Sequence, residues 1–90
     1  MDLFKLGVCV CTPAALELLE SLDRTPHDLI SRHVTGDFGD LDDEDLVQNC
    51  QAVEQGYQVF STYQLAPGAR VWVITEGDRS CTTVLLPSDY

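Results

Sequence analysis

Ninety residues, 44% of them apolar, supply one hydrophobic core and not two, because a chain of this size buries only about 60–65% of the surface it exposes when unfolded. Fifteen acidic residues against five basic ones leave a net charge of −10, a field that repels phosphate backbones and anionic membranes and favours encounter with basic surfaces. No run approaches the roughly 18–20 apolar residues needed to cross a bilayer, and Met1-Asp2-Leu3-Phe4-Lys5 lacks the basic-then-apolar order of a secretion leader, so the expectation is a folded cytoplasmic domain over residues 1–90 with no membrane or nucleic-acid partner.

Residues 3–10 are mostly apolar and β-compatible, and the run stops at Thr12-Pro13, as a largely buried strand would. Threonine can cap the orphan amides of a helix and proline fits its first position. With Ala15, Leu16, Leu19 and Leu22 at near-helical spacing, a helix is predicted over 13–23. Thr25-Pro26 repeats the device, Leu29, Ile30 and Val34 form a stripe, and Gly36 can close the turn, which predicts a second helix over 26–34.

Residues 37–45 hold six carboxylates, Asp37, Asp40, Asp42, Asp43, Glu44 and Asp45, around Phe38. They read as an acidic loop entering a third helix over 43–55, capped by Asp40 or Asp42, with Leu46, Cys50 and Val53 inward and Gly56 as its stop. The period then changes to two. Tyr57, Val59, Ser61 and Tyr63 share one face of a strand over 57–64, and Ala66-Pro67-Gly68 is a turn. Strands over 70–76 and 80–86 follow, joined at Glu76-Gly77-Asp78-Arg79 as a hairpin tip, and Pro87 ends the sheet.

The outline is an α+β fold, β-α-α-α-β-β-β, with a C-terminal antiparallel meander packed on helices. The expected core comprises Phe4, Leu6, Val8, Leu16, Leu19, Leu46, Cys50, Val53, Val71, Val73, Val84 and Leu86, with Trp72 on the face opposite Val71 and Val73 and also under the helices. Cys9, Cys11, Cys50 and Cys81 are expected as reduced, buried thiols.

Cys9-Val10-Cys11 does not have the spacing of paired zinc ligands, and the acidic run lacks the alternating oxygens, central glycine and terminal glutamate of a calcium loop. Neither a nucleophile elbow nor a phosphate-cradling glycine loop occurs, so no metal or cofactor is expected. A metal-free ribonuclease needs a base, an acid and a cation, and His33, Glu76, Arg70 and Arg79 supply those types. His33 is nonetheless expected to sit far from the hairpin tip, as a cation at a helix C-terminus. The polar tip, residues 75–80 with Thr82 and Thr83 behind it, reads either as a turn stitched by its own hydrogen bonds or as a recognition tip.

Thr12-Pro13 after the first strand, His33 followed by Gly36-Asp37-Phe38-Gly39-Asp40, and the stretch from Trp72 through Ser80 to Pro87 resemble a group of small bacterial proteins often encoded on plasmids or other mobile elements. Similar sequences carry tryptophan at the place of Phe38 and alanine at that of Gly77. The resemblance covers nearly the whole chain and implies a bacterial or phage setting, with no activity attached.

The favoured reading is a non-enzymatic acidic interaction protein, an inhibitor or accessory factor that meets a basic, nucleic-acid-binding surface of a partner protein. Its partner-binding residues would be Asp37, Phe38, Asp40, Asp42, Asp43, Glu44 and Asp45, with Asp78 and Arg79 at the tip. The alternatives are a small metal-independent endoribonuclease-like toxin using His33, Glu76 and Arg79, and a purely structural subunit.

Overall fold

The computed structural model describes residues 2–90. Along the chain run β1 (Val8–Cys11), α1 (Pro13–Ser21), α2 (Pro26–Val34), α3 (Asp43–Gln55), β2 (Val59–Ala66), β3 (Ala69–Thr75), β4 (Cys81–Leu85) and a short 3-10 turn, Pro87–Asp89. The fold is α+β in the order expected. The strands form one sheet in the order β1-β4-β3-β2, with β2, β3 and β4 an antiparallel meander and β1 added parallel to β4 at the edge. No helix among the described residues is long and apolar enough to cross a membrane.

The helices start where the sequence chemistry says they should. Thr12 accepts from the Ala15 amide (3.2 Å), Thr25 and Asp28 form a reciprocal capping box, and Asp42 accepts from the Asp45 amide (2.9 Å), each satisfying orphan donors of a first turn. Gly56 closes α3 in the left-handed conformation at φ 78°.

The alternation of the strands sorts the sheet into two faces. Val59, Ser61, Tyr63, Val71, Val73, Thr75, Thr82 and Val84 point to the helical side, where Ala15, Leu19 and Leu29 meet Tyr63, Val71, Val73 and Val84 in the main core. Phe38, Ala52 and Val59 make a second cluster under α3.

Several expectations are corrected. β1 begins only at Val8, because Gly7 takes a left-handed φ of 65° and its α-carbon lies against the Ser80 carbonyl. Val8 and Val10 then fall on the face without helices, 65% and 45% exposed. Leu16 is exposed because α1 turns Ala15 and Leu19 inward, and Cys50 is exposed because α3 turns Asn49 and Ala52 inward. Phe4, Leu6, Leu46, Val53 and Leu86 are only half-buried. Trp72 does oppose Val71 and Val73, but its face lies away from the helices, where it packs edge-on against Phe60 and Tyr90 at 5.1 and 5.7 Å. The four thiols are free, yet Cys9 and Cys50 are exposed and Cys11 and Cys81 half-buried.

Candidate interaction site

The acidic segment lies along the outer edge of β2, and most of it is occupied in sealing that edge. The Thr62 amide donates to the Phe38 carbonyl (3.1 Å), the Asp40 amide donates to the Thr62 carbonyl (2.8 Å), and the Gln64 amide donates to Asp40 Oδ2 (2.9 Å). One residue pair further on, Asn49 of α3 completes the seal. Its Nδ2 donates to the Phe60 carbonyl (2.5 Å) and its Oδ1 accepts from the Phe60 amide (3.1 Å), so a side-chain amide replaces a missing strand. Gly39 permits this approach, since it pairs with Thr62 at φ 77° and has no β-carbon to meet the strand.

The expected partner-binding residues therefore separate into two groups. Asp37 Oδ2 accepts from Arg32 Nε (2.7 Å) and Oδ1 from the Gly39 amide (3.2 Å); the hydrogen bond from Arg32 is the main reason that its carboxyl is held below the usual carboxylate range. The Asp37 carbonyl receives the Tyr63 hydroxyl (2.6 Å), and the Arg32 guanidinium lies over the Tyr63 ring, 4.4 Å from its centre. Phe38 is buried at 5% exposure and cannot touch a partner. Asp40 and Asp42 hold the edge and the helix cap. Asp43, Glu44 and Asp45 remain, exposed together on the first turn of α3, with no basic side chain in salt-bridge contact; among the described residues the salt bridge is Arg32 with Asp37.

Beside that turn lies an open cleft of about 470 Å³ whose walls include Leu41, Asp45, Gln48, Tyr57 and Phe60. Tyr57 is 61% exposed. The cleft thus sets an aromatic ring and an apolar floor next to a carboxylate, surroundings suited to the stem and head of an arginine or lysine side chain.

At the β3–β4 turn Arg79 is committed to the fold. Its Nη1 donates to the Tyr57 carbonyl (2.6 Å) and the Glu76 carbonyl (3.2 Å), and its Nη2 donates to the Ala52 carbonyl (2.8 Å). The guanidinium so caps the negative end of α3 and ties the hairpin to it. Asp78 Oδ1 accepts the Ser80 amide (3.0 Å), and hydrogen bonding to Ser80 lowers its pKa. This favours the stitched turn over a recognition tip. Arg79→Ala is expected to cost about 2 kcal/mol, the loss of charge-assisted bonds. Arg79 also sits at φ 60°, where glycine is unstrained and alanine is not, so Arg79→Gly should be destabilised by about 1 kcal/mol less than Arg79→Ala. Urea midpoints of the two variants check both statements.

His33 is not remote from the hairpin tip, contrary to expectation. The Phe4 ring stands between them, 5.2 Å from the His33 ring and 5.4 Å from the Arg79 guanidinium carbon. The imidazole is 0% exposed and belongs to a closed hydrogen-bond chain. Thr82 gives its only hydroxyl hydrogen to the Leu6 carbonyl (2.8 Å), so its oxygen accepts from Thr75 (2.7 Å). Thr75 must then accept from His33 Nε2 (2.9 Å), so in a neutral ring Nδ1 is bare and accepts from Ser61 (2.5 Å). Because burial disfavours the charged imidazole, the ring is the neutral Nε2–H tautomer. Burial, with the Arg79 charge second, lowers its pKa to about 4.

The ribonuclease set is not assembled. His33 is sealed from solvent, the Arg79 guanidinium is bound to carbonyls, and Arg70 lies on the other face of the sheet, donating to Thr62 Oγ1 (2.7 Å) and Gln64 Oε1 (2.8 Å). Among the described residues no three His, Cys, Asp or Glu side chains are placed to share a metal ion. Sequence reasoning passed over Asn49 and read Thr75 and Thr82 as part of a surface tip rather than, with Ser61, as partners of a buried histidine; the legible signal was a polar residue at an inward position of the helix or strand period. No protein-family model, curated protein or solved structure matches the chain.

Proposed function

We propose that this is a non-enzymatic acidic interaction protein that binds a basic, nucleic-acid-binding surface of a partner protein, acting as an inhibitor or accessory factor of mobile-element type. The observation that carries it is the exposed, unpaired carboxylate cluster Asp43, Glu44 and Asp45 beside the cleft of Leu41, Tyr57 and Phe60. The neighbouring acids of the segment have work within the fold, whereas these three do not cap, seal or pair with a base. They lie on a rigid helix, which lowers the ordering cost of binding. The charge field speeds encounter with a basic patch, and the cleft supplies desolvated contact for one of its long side chains.

The mobile-element setting rests on the resemblance in sequence. The endoribonuclease reading loses support from the enclosure of His33. The experiment is capture of a partner from a bacterial lysate, repeated across salt. Retention should fall at least about tenfold between roughly 50 and 200 mM salt, because the Debye length drops from about 14 to 7 Å. Retention indifferent to salt would contradict an electrostatic interface.

A further inference from the structure

The two edges of the sheet are treated differently. That of β2 is closed by the Phe38–Asp40 segment and Asn49, whereas β1 pairs with β4 alone. Val8 and Thr12 donate towards β4, to the Ser80 and Val84 carbonyls, so by alternation the amides and carbonyls of Cys9 and Cys11 point outward. No lysine, proline or bulge guards these four residues, and Val8 and Val10 are 65% and 45% exposed, the pattern of an edge that recruits another strand.

Charge narrows the choice of strand. All fifteen acids lie off the strands, whose one charged residue is Arg70, and between Asp2 and Glu17 the one charge is Lys5. Along β1 the one carboxylate beside the edge is Asp89, held by Thr12 (2.7 Å) at the strand's C-terminal end. Where two such edges run antiparallel it lies opposite the Val8 end of the other copy, so two copies, each at −10, can meet without carboxylate directly opposite carboxylate. We propose that β1 pairs antiparallel with β1 of a second copy, about a two-fold axis through Val10, to make a continuous eight-stranded sheet. In this register Cys9 faces Cys11 of the other copy in both directions, so all four outward amides find carbonyls. Val10 meets its own counterpart, a close apolar pair on the open face. Gly7, in its left-handed conformation, ends the pairing on one side and Pro13 on the other. An edge this short buries less than the roughly 1,200 Å² of a stable interface, so the dimer is weak and depends on concentration.

Sedimentation equilibrium tests this directly. The mass should rise from 10.0 kDa towards twice that value between about 5 and 500 µM protein, the range of a weak interface. Added salt should strengthen association by screening like charge, the reverse of its effect on a basic partner, so this inference and the proposed function fail separately. Val10→Glu places two carboxylates directly opposite and should abolish the dimer, while Val47→Glu, on an exposed position of α3, adds the same charge and should keep most of it. Hydrogen exchange at the Cys9 and Cys11 amides should slow with concentration in the wild type and not in Val10→Glu. A constant monomer mass, or equal behaviour of the two glutamate variants, would overturn the proposal.

Discussion

Gly39→Ala is expected to unfold most of the domain at room temperature or to lower its Tm by about 20 °C or more. At φ 77° a β-carbon costs about 1–2 kcal/mol by itself. Here it would also overlap the Thr62 carbonyl oxygen and press on the Tyr63 ring, 2.7 Å from Cδ1. Relief requires the 38–40 segment to lift from β2, which breaks backbone bonds to Thr62 at about 1 kcal/mol each and draws Phe38 out of its pocket at about 2 kcal/mol more. The sum, about 5 kcal/mol, approaches the 5–9 kcal/mol expected for the whole domain. Gly68→Ala is the control. It has a similar φ of 74° but open space around it, so it should lose only the backbone cost. Thermal melts of the two variants separate strain from close approach, and equal melting temperatures would show that the loop does not seal the edge.

His33 carries the second large effect. Its folded pKa of about 4 lies below the ordinary 6.5, so between those values the unfolded chain binds more protons and stability rises with pH. The contribution is complete above pH 6.5, declines as pH falls, and is gone below about pH 4, a difference of about 3 kcal/mol. His33→Leu should remove that dependence. It should also cost about 2–4 kcal/mol at pH 7, since the Ser61 hydroxyl loses its acceptor and Thr75 its donor in a dry site. Urea unfolding of both proteins at pH 7 and 4.5 measures the two consequences. A wild-type curve that does not shift between those values would mean that the imidazole takes up its proton as readily in the fold as in the unfolded chain.

How far the sequence reveals this molecule depends on how local each cause is. Thr12, Thr25, Asp42 and Gly56 act within one helical turn of themselves, so the three helices could be read to within two residues, and the period-two alternation gave the strands of the meander. Which way a short element turns is not local. Leu16 and Leu19 both fit a helical stripe, and only the position of β4 and β3 decides that Leu19 is inside. Trp72 was legible as opposite Val71, but not that its face would carry no helix. The acidic run was legible as a charge cluster. Asp42 was legible as a cap, but that Asp40 serves the edge of β2 follows from contacts with Thr62 and Gln64 more than twenty residues away in sequence, and Asp37 is tied to Tyr63 across a similar distance, while Asp43, Glu44 and Asp45 make no such contacts. Likewise the sequence left the Arg79 tip as either a turn stitched by its own hydrogen bonds or a recognition tip, because the carbonyls of Tyr57 and Ala52 that hold the guanidinium come from distant positions in the chain.

The claim on which the proposed function rests is that carboxylates at one place matter, not net charge alone. The most direct measurement compares two variants that lose the same three charges: Asp43→Asn with Glu44→Gln and Asp45→Asn, and Glu17→Gln with Glu20→Gln and Asp23→Asn, all at exposed positions. Each is used to capture partners at about 50 mM salt, where surface charges are weakly screened, after melting curves have shown both to be folded. The account predicts that the first variant loses at least about tenfold of the wild-type partner while the second, on and just after α1, retains most of it. Identical partner recovery by both variants, whether kept or lost, would contradict it and leave the acid as a solubilising surface.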